Sequence, residues 1–147
     1  MAQAVSAAAH GVKPRYLLDT NILIYFSKDR PDSIVKRLDV LDAGEAVMSV
    51  VSYGELCYGA SRSVKPAATQ KVINLLTGIF PIMPVTKEAA EEYGKLRGQL
   101  AVKGTPIGPN DMWLAAQAKA ESLTLVTNNE REFRRVSGLN IENWMKI

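Results

Sequence analysis

Asp19, Glu55 and Asp111 are far apart in the chain, yet each stands where an apolar run gives way to polar residues. Asp19 closes Tyr16-Leu17-Leu18 and opens Thr20-Asn21. Glu55 follows Val47-Met48-Ser49-Val50-Val51, and Asp111 sits behind Gly108-Pro109-Asn110, just ahead of Met112-Trp113-Leu114-Ala115-Ala116. Acids parked at the ends of elements can converge in a fold, and converged carboxylates make a site for a hard divalent cation. An all-oxygen donor set selects Mg2+ or Mn2+, ions suited to phosphoryl chemistry because they lower the pKa of a bound water and stabilise the leaving oxygen of a phosphodiester. On this reading Asp19 and Asp111 are direct ligands. Glu55 binds through water or orients the attacking water, and Thr20, Thr127 and Asn129 hold the second ring of contacts or the scissile phosphate.

The rest of the composition leaves little other chemistry. The single histidine, His10, lies near the N-terminus, so Ser-His or paired-histidine catalysis has no base. The single cysteine, Cys57, rules out an internal disulfide and, with one histidine, a Cys/His zinc cluster. There is no G-x-x-x-x-G-K-[ST] phosphate loop. At 147 residues, 47% hydrophobic and 22% charged, the chain reads as one globular domain, and no apolar stretch approaches the roughly 18–20 residues of a membrane span. A lone cysteine suits a reducing compartment, so the expected location is the cytoplasm. The net charge of +3 permits nucleic-acid binding without establishing it. Residues 1–14 lack the basic start and apolar middle of a signal peptide and are read as a disordered N-terminal extension.

The elements that must position the acids follow from periodicity. Strands are predicted over 15–19, 46–51, 79–85, 123–127 and 139–144. Helices are predicted after Asp19, over 33–41, from Ser52 toward Ala60, from Pro66 onward with Val72, Ile73, Leu75 and Leu76 as its buried face, from Thr86 as N-cap to a stop at Gly104-Thr105-Pro106, and over 111–120. A short charged helix containing Phe133 follows Asn128-Asn129. Strands separated by helices imply a central, mostly parallel five-stranded sheet covered on both faces. Ligands bind beyond the carboxyl ends of such strands, where Asp19 and Asn128-Asn129 fall, with Glu55 one helical turn further on.

Each acid also has an ordinary structural explanation. Asp19 is suited to cap the helix it precedes. Ser52-x-x-Glu55 has the spacing of a capping box, and Asp111 favours a helix N-terminus through the dipole, with Asn110 as cap. The catalytic case therefore rests on the three acids together.

Four segments, in order, resemble the PIN-domain ribonucleases and, more narrowly, the VapC toxins of type II toxin–antitoxin pairs. They are Leu17-Leu18-Asp19-Thr20-Asn21-Ile22-Leu23-Ile24, then Ser49 to Gly59 around Glu55, then Ile107-Gly108-Pro109-Asn110-Asp111, and finally Leu125-Val126-Thr127-Asn128-Asn129-Glu130-Arg131-Glu132-Phe133. The resemblance runs from about Leu17 to Trp144. It implies a single PIN domain over 15–147, a three-layer α/β/α sandwich, and a Mg2+- or Mn2+-dependent endoribonuclease that blocks translation by cutting structured RNA, with the initiator tRNA anticodon stem-loop as one such target. It also implies a homodimer, a cognate VapB antitoxin whose C-terminal segment covers the active site, and operator DNA bound only through that antitoxin.

One departure affects the site. Many PIN domains carry a fourth acid where this chain has Asn129, whose amide is then left to position water or phosphate, with Glu132 as a nearby carboxylate or, equally, a solvated helix residue. One well-held ion is expected. Trp113 and Trp144 are read as core or interface residues, Cys57 as a small buried filler, and Arg62, Lys65 and Lys71 as solvated or lining an RNA path. Among alternatives, a dehalogenase-like phosphatase would want a second aspartate where Asn21 stands, and a receiver domain would want an aspartate closing the 79–85 strand. A catalytically silent RNA-binding PIN module is the remaining rival.

Overall fold

The computed structural model describes residues 12–146, so most of the expected N-terminal extension lies outside the described residues. Strands β1 (Tyr16–Leu18), β2 (Ala46–Ser49), β3 (Ile82–Met83), β4 (Thr124–Val126) and β5 (Ile141–Glu142) form one sheet in the order β3-β2-β1-β4-β5. Every pairing is parallel, with Leu17 opposite both Val47 and Leu125. The helices are α1 (Thr20–Asp29), α2 (Asp32–Asp39), α3 (Val50–Ser61), α4 (Pro66–Ile79), α5 (Lys87–Lys103), α6 (Pro109–Ala120) and α7 (Glu130–Phe133).

The strands are apolar on both faces, as a parallel sheet between helical layers requires. Successive side chains alternate between two cores. Leu17, Val47 and Leu125 meet Leu96, Leu100, Leu114 and Phe133 from α5, α6 and α7. Tyr16, Leu18, Met48 and Val126 meet Ile22, Phe26, Ile34 and Leu76 from α1, α2 and α4, and Trp144 closes that layer edge-on to Tyr16 at 5.1 Å. This is the three-layer α/β/α sandwich. Helix α3 belongs to neither layer alone: Val51 packs on the first core and Tyr53 and Leu56 on the second. It therefore sits across the carboxyl end of the sheet.

Several local expectations shift. The second strand stops at Ser49, whose hydroxyl accepts from the Val51 amide at 3.0 Å and caps α3 two residues before the β-branched run ends. Ser52 is thus inside the helix and the Ser52-Glu55 capping box does not form. The strand expected over 79–85 shrinks to Ile82–Met83, because α4 runs through Ile79 and Pro81 and Pro84 lack the N–H a ladder needs. Of the expected buried face of α4, Ile73 and Leu76 are buried, but Val72 and Leu75 remain 39% and 41% exposed. Cys57 is exposed, on the outer side of α3, and is no buried filler.

Thr86 caps α5 as expected. Its hydroxyl accepts from the Ala89 amide at 3.1 Å and donates to Glu121 at 2.9 Å, which ties α5 to the end of α6. Thr86→Ala should cost about 1 kcal/mol of stability, seen as a lower urea midpoint at an unchanged slope.

Candidate active site

Asp19 is the first residue beyond β1, and its amide still donates to the Val126 carbonyl at 2.9 Å. It occupies the N-cap position of α1, but its side chain makes no capping hydrogen bond. Instead Oδ2 accepts from the Thr127 hydroxyl at 2.8 Å, and that hydroxyl accepts from the Asn129 amide at 2.9 Å. The direction of the Thr127 proton is therefore fixed toward Asp19. The carboxyl is 5% exposed, and burial raises its pKa against the pull of Thr127 and the Thr20 and Asn21 amides, while the Glu55 charge adds to the rise.

Glu55 lies on α3 and reaches back to α1, where the Thr20 hydroxyl donates to Oε1 at 2.7 Å. The Ser52 hydroxyl, fully buried, stands 2.9 Å from that of Thr20. The side chain expected to close a helix cap is thus turned to the next element.

Asp111 sits in the first turn of α6, whose cap is Gly108 rather than Asn110. Glu132 comes from α7: Oε1 accepts from the Gly108 amide at 3.0 Å, and the Asn129 side-chain amide donates to Oε2. Glu132 is therefore not a solvated helix residue but is packed behind Asp111. The Asp111 carboxyl is pushed up to about 7, first by burial, then by the charge of Glu132 and that of Asp19, by a carboxyl–carboxylate hydrogen bond with Glu132, and by Glu55. The missing side chain at Gly108 keeps one approach open, since a methyl there would lie 3.5 Å from Asp111 Oδ2.

Asp19, Glu55 and Asp111 line the same groove of about 1300 Å³. Its acidic end continues into an apolar stretch with Ile24, Leu56, Val72 and Leu76, and Lys28 and Lys65 stand on its border. Of the three basic residues singled out from sequence, only Lys65 lines the groove, while Arg62 and Lys71 are exposed elsewhere. Among the described residues, none of the four acids takes part in an ion pair. Nor are any three side chains of metal-binding type gathered into a ready-made cage among those residues. The donor set nevertheless fits a hard divalent ion: it is all oxygen, it is uncompensated, and two of its members have raised pKa values that a cation would lower.

Two contributors escaped the sequence reading. The Gly108 amide gave no side-chain signal. Ser52 was masked by its capping-box spacing, although Ser49, three residues earlier, offered an equally good cap before the same helix.

Residues 16–139 match the PIN domain family. The chain is 38% identical over 130 residues to the tRNA(fMet)-specific endonuclease VapC of Shigella flexneri, covering 88% of this chain and 98% of that one. It is 40% identical over 131 residues to Ribonuclease VapC2 of Haemophilus influenzae, covering 89% and 98%. Among solved structures, DNA-bound VapBC from Salmonella typhimurium superposes with a TM-score of 0.85 at 35% identity, over 89% of this chain and 98% of its counterpart.

Proposed function

The chain belongs to the PIN-domain family, in its VapC branch, and from that premise we propose that it is a metal-dependent endoribonuclease toxin that cuts structured RNA and is neutralised by a VapB-type antitoxin. The observation that carries the chemistry is three carboxylates, Asp19, Glu55 and Asp111, brought from separate segments to line one groove, with Glu132 beside Asp111 and none of the four in an ion pair among the described residues.

Asp19 and Asp111 would hold Mg2+ or Mn2+ directly, Glu55 through water, and Glu132 as the fourth acid in place of the aspartate or glutamate absent at Asn129. When bound, such an ion supplies an activated water and charge neutralisation at the phosphodiester. The chain's own groups prepare for that. Thr127 occupies Asp19 Oδ2 and Thr20 occupies Glu55 Oε1, so neither carboxylate offers both oxygens free. Single-oxygen ligands suit the small octahedral shell of Mg2+ better than the larger, bidentate-rich shell of Ca2+. Asn129, donating to Glu132, holds the fourth acid against Asp111 rather than meeting the phosphate itself. One tight ion remains the reading, because Asp111 and Glu132 share a position that favours joint use.

Substrate and partners follow the relatives. A VapC homologue that is a tRNA(fMet)-specific endonuclease makes tRNA, the initiator tRNA first, the RNA to test, and its loss would halt translation. Lys28 and Lys65 beside the groove supply counter-charge for an RNA backbone. The DNA-bound VapBC complex supports a VapB-type partner that carries operator binding. The apolar stretch of the groove, with Tyr58 at 68% and Val64 at 95% exposure along it, suits an antitoxin segment that covers the acids. A homodimer is part of the same reading. No helix among the described residues is long and apolar enough to cross a membrane, and the cytoplasm, where tRNA is found, is the proposed location.

The test is incubation of the purified chain with total tRNA and Mn2+, followed by mapping of the new ends. Discrete cuts in one or a few tRNAs, abolished by EDTA, are expected. Tight tRNA binding with no cuts would instead favour the silent RNA-binding module.

A further inference from the structure

Thr20 stands between two oxygens that both need attention. Its hydroxyl lies 2.7 Å from Glu55 Oε1 and 2.9 Å from the Ser52 hydroxyl. A threonine hydroxyl has one proton, and a carboxylate oxygen can only accept. The Thr20 hydroxyl is the donor in both contacts, so its one proton is shared between them, and the buried Ser52 oxygen sets the rotation from which Thr20 reaches Glu55. The contacts run without a break from Ser52 through Thr20 to Glu55.

We infer that Ser52 is a positioning residue for Glu55, acting through Thr20, so that the free Oε2 of Glu55 is held toward the other acids. The inference rests on the metal-nuclease reading above. Its physical basis is burial: Ser52 is 0% and Thr20 8% exposed, so water does not readily replace either hydroxyl. The two residues also come from different elements, α3 and α1, which makes the relay a cross-link under the site rather than a local helix bond. Without Ser52, the Thr20 hydroxyl loses the buried partner that fixes its rotation. Glu55, on a helix surface with a long side chain, then keeps its charge but loses its aim. Partners of this kind behind a ligand typically change metal affinity by about 10- to 100-fold.

The experiment compares the full-length wild-type chain, Ser52→Ala, Thr20→Val, Glu55→Gln and the Ser52→Ala/Glu55→Gln pair. Mn2+ binding is read by the loss of the free-ion electron paramagnetic resonance signal, beside the rate of tRNA cleavage. Ser52→Ala should weaken Mn2+ binding about tenfold or more. Thr20→Val, which keeps the side-chain shape and removes the hydroxyl, should do the same, and it serves if Ser52→Ala does not fold. In the Glu55→Gln background, Ser52→Ala should change Mn2+ affinity less than about twofold, the mark of two residues acting through one group. Wild-type Mn2+ affinity in Ser52→Ala or Thr20→Val overturns the inference, and so does an undiminished loss in the Glu55→Gln background. A wild-type chain that neither binds Mn2+ nor cleaves RNA overturns the underlying nuclease reading instead.

Discussion

Asp111→Asn is expected to abolish RNA cleavage while making the metal-free protein more stable. The loss of activity should be at least about 1000-fold, the scale seen when a charge that stabilises a transition state is removed from a preorganised site. Asparagine keeps the shape of the side chain and its place in the first turn of α6, so the loss cannot be assigned to a collapsed helix. The gain in stability comes from the same carboxylate. Asp111 is half-buried beside Glu132 and feels Asp19 and Glu55, and all four influences oppose its charge. Neutralising it removes that opposition, and each kcal/mol relieved should raise the melting temperature by roughly 2–4 °C in a chain of this size. Single-turnover cleavage of tRNA with Mn2+ and calorimetry in EDTA measure the two effects. A variant that keeps activity within tenfold, or that melts lower in EDTA above neutral pH, would contradict this assignment.

The second large effect is in pH. The Asp111 carboxyl titrates near its ordinary 3.8 in an unfolded chain and at about 7 in the folded one. Between those values the native state binds a proton that the unfolded state has released. Metal-free stability should therefore fall as pH rises from about 4 to about 7 and level off above, with Asp19 adding in the same direction. Below pH 4 the penalty is absent. A divalent ion competes for the place of that proton, so Mn2+ affinity should climb by up to about tenfold per pH unit until about 7 and then flatten. Saturating metal at 100 times its Kd should return about 2.7 kcal/mol and erase much of the slope. Denaturant unfolding across pH, with EDTA and with Mn2+, reads all of this. Metal-free stability that rises over that window would place the carboxylates in a different environment from the one described.

Legibility followed the strength of the local physics. The sheet was readable because β1, β2 and β4 are short apolar runs between amphipathic helices, and parallel order follows from that alternation. The Thr86 cap and the Gly104 stop of α5 were readable because each is a local contest between backbone and side chain. The convergence of Asp19, Glu55 and Asp111 on one groove could be expected from their element-end positions. What escaped was decided by tertiary contacts. Val50 and Val51 favour a strand, yet Ser49 caps a helix there, and that helix carries Ser52 under Thr20 and turns Glu55 away from its own N-terminus. Glu132 looked equally suited to solvent until the Gly108 amide, contributed 24 positions earlier, gave it a partner. The exposure of Cys57 follows from α3 lying over the sheet end with its outer side uncovered, a placement no helical pattern reveals.

The central pairing of the sheet also dictates when the enzyme can come into being during synthesis. β1 opens the fold, but its partner β4 begins at Thr124, and the hydroxyl that orients Asp19 belongs to Thr127, 108 positions downstream. Glu132 and β5 come later still. A ribosome making this chain has therefore displayed Asp19, Glu55 and Asp111 before the segment that gathers them has emerged. Contacts of such long sequence separation form slowly and late. For a protein proposed to attack the RNA of translation, the topology acts as a timer: the proposed cutting site cannot be assembled until β4 and Thr127 have been made.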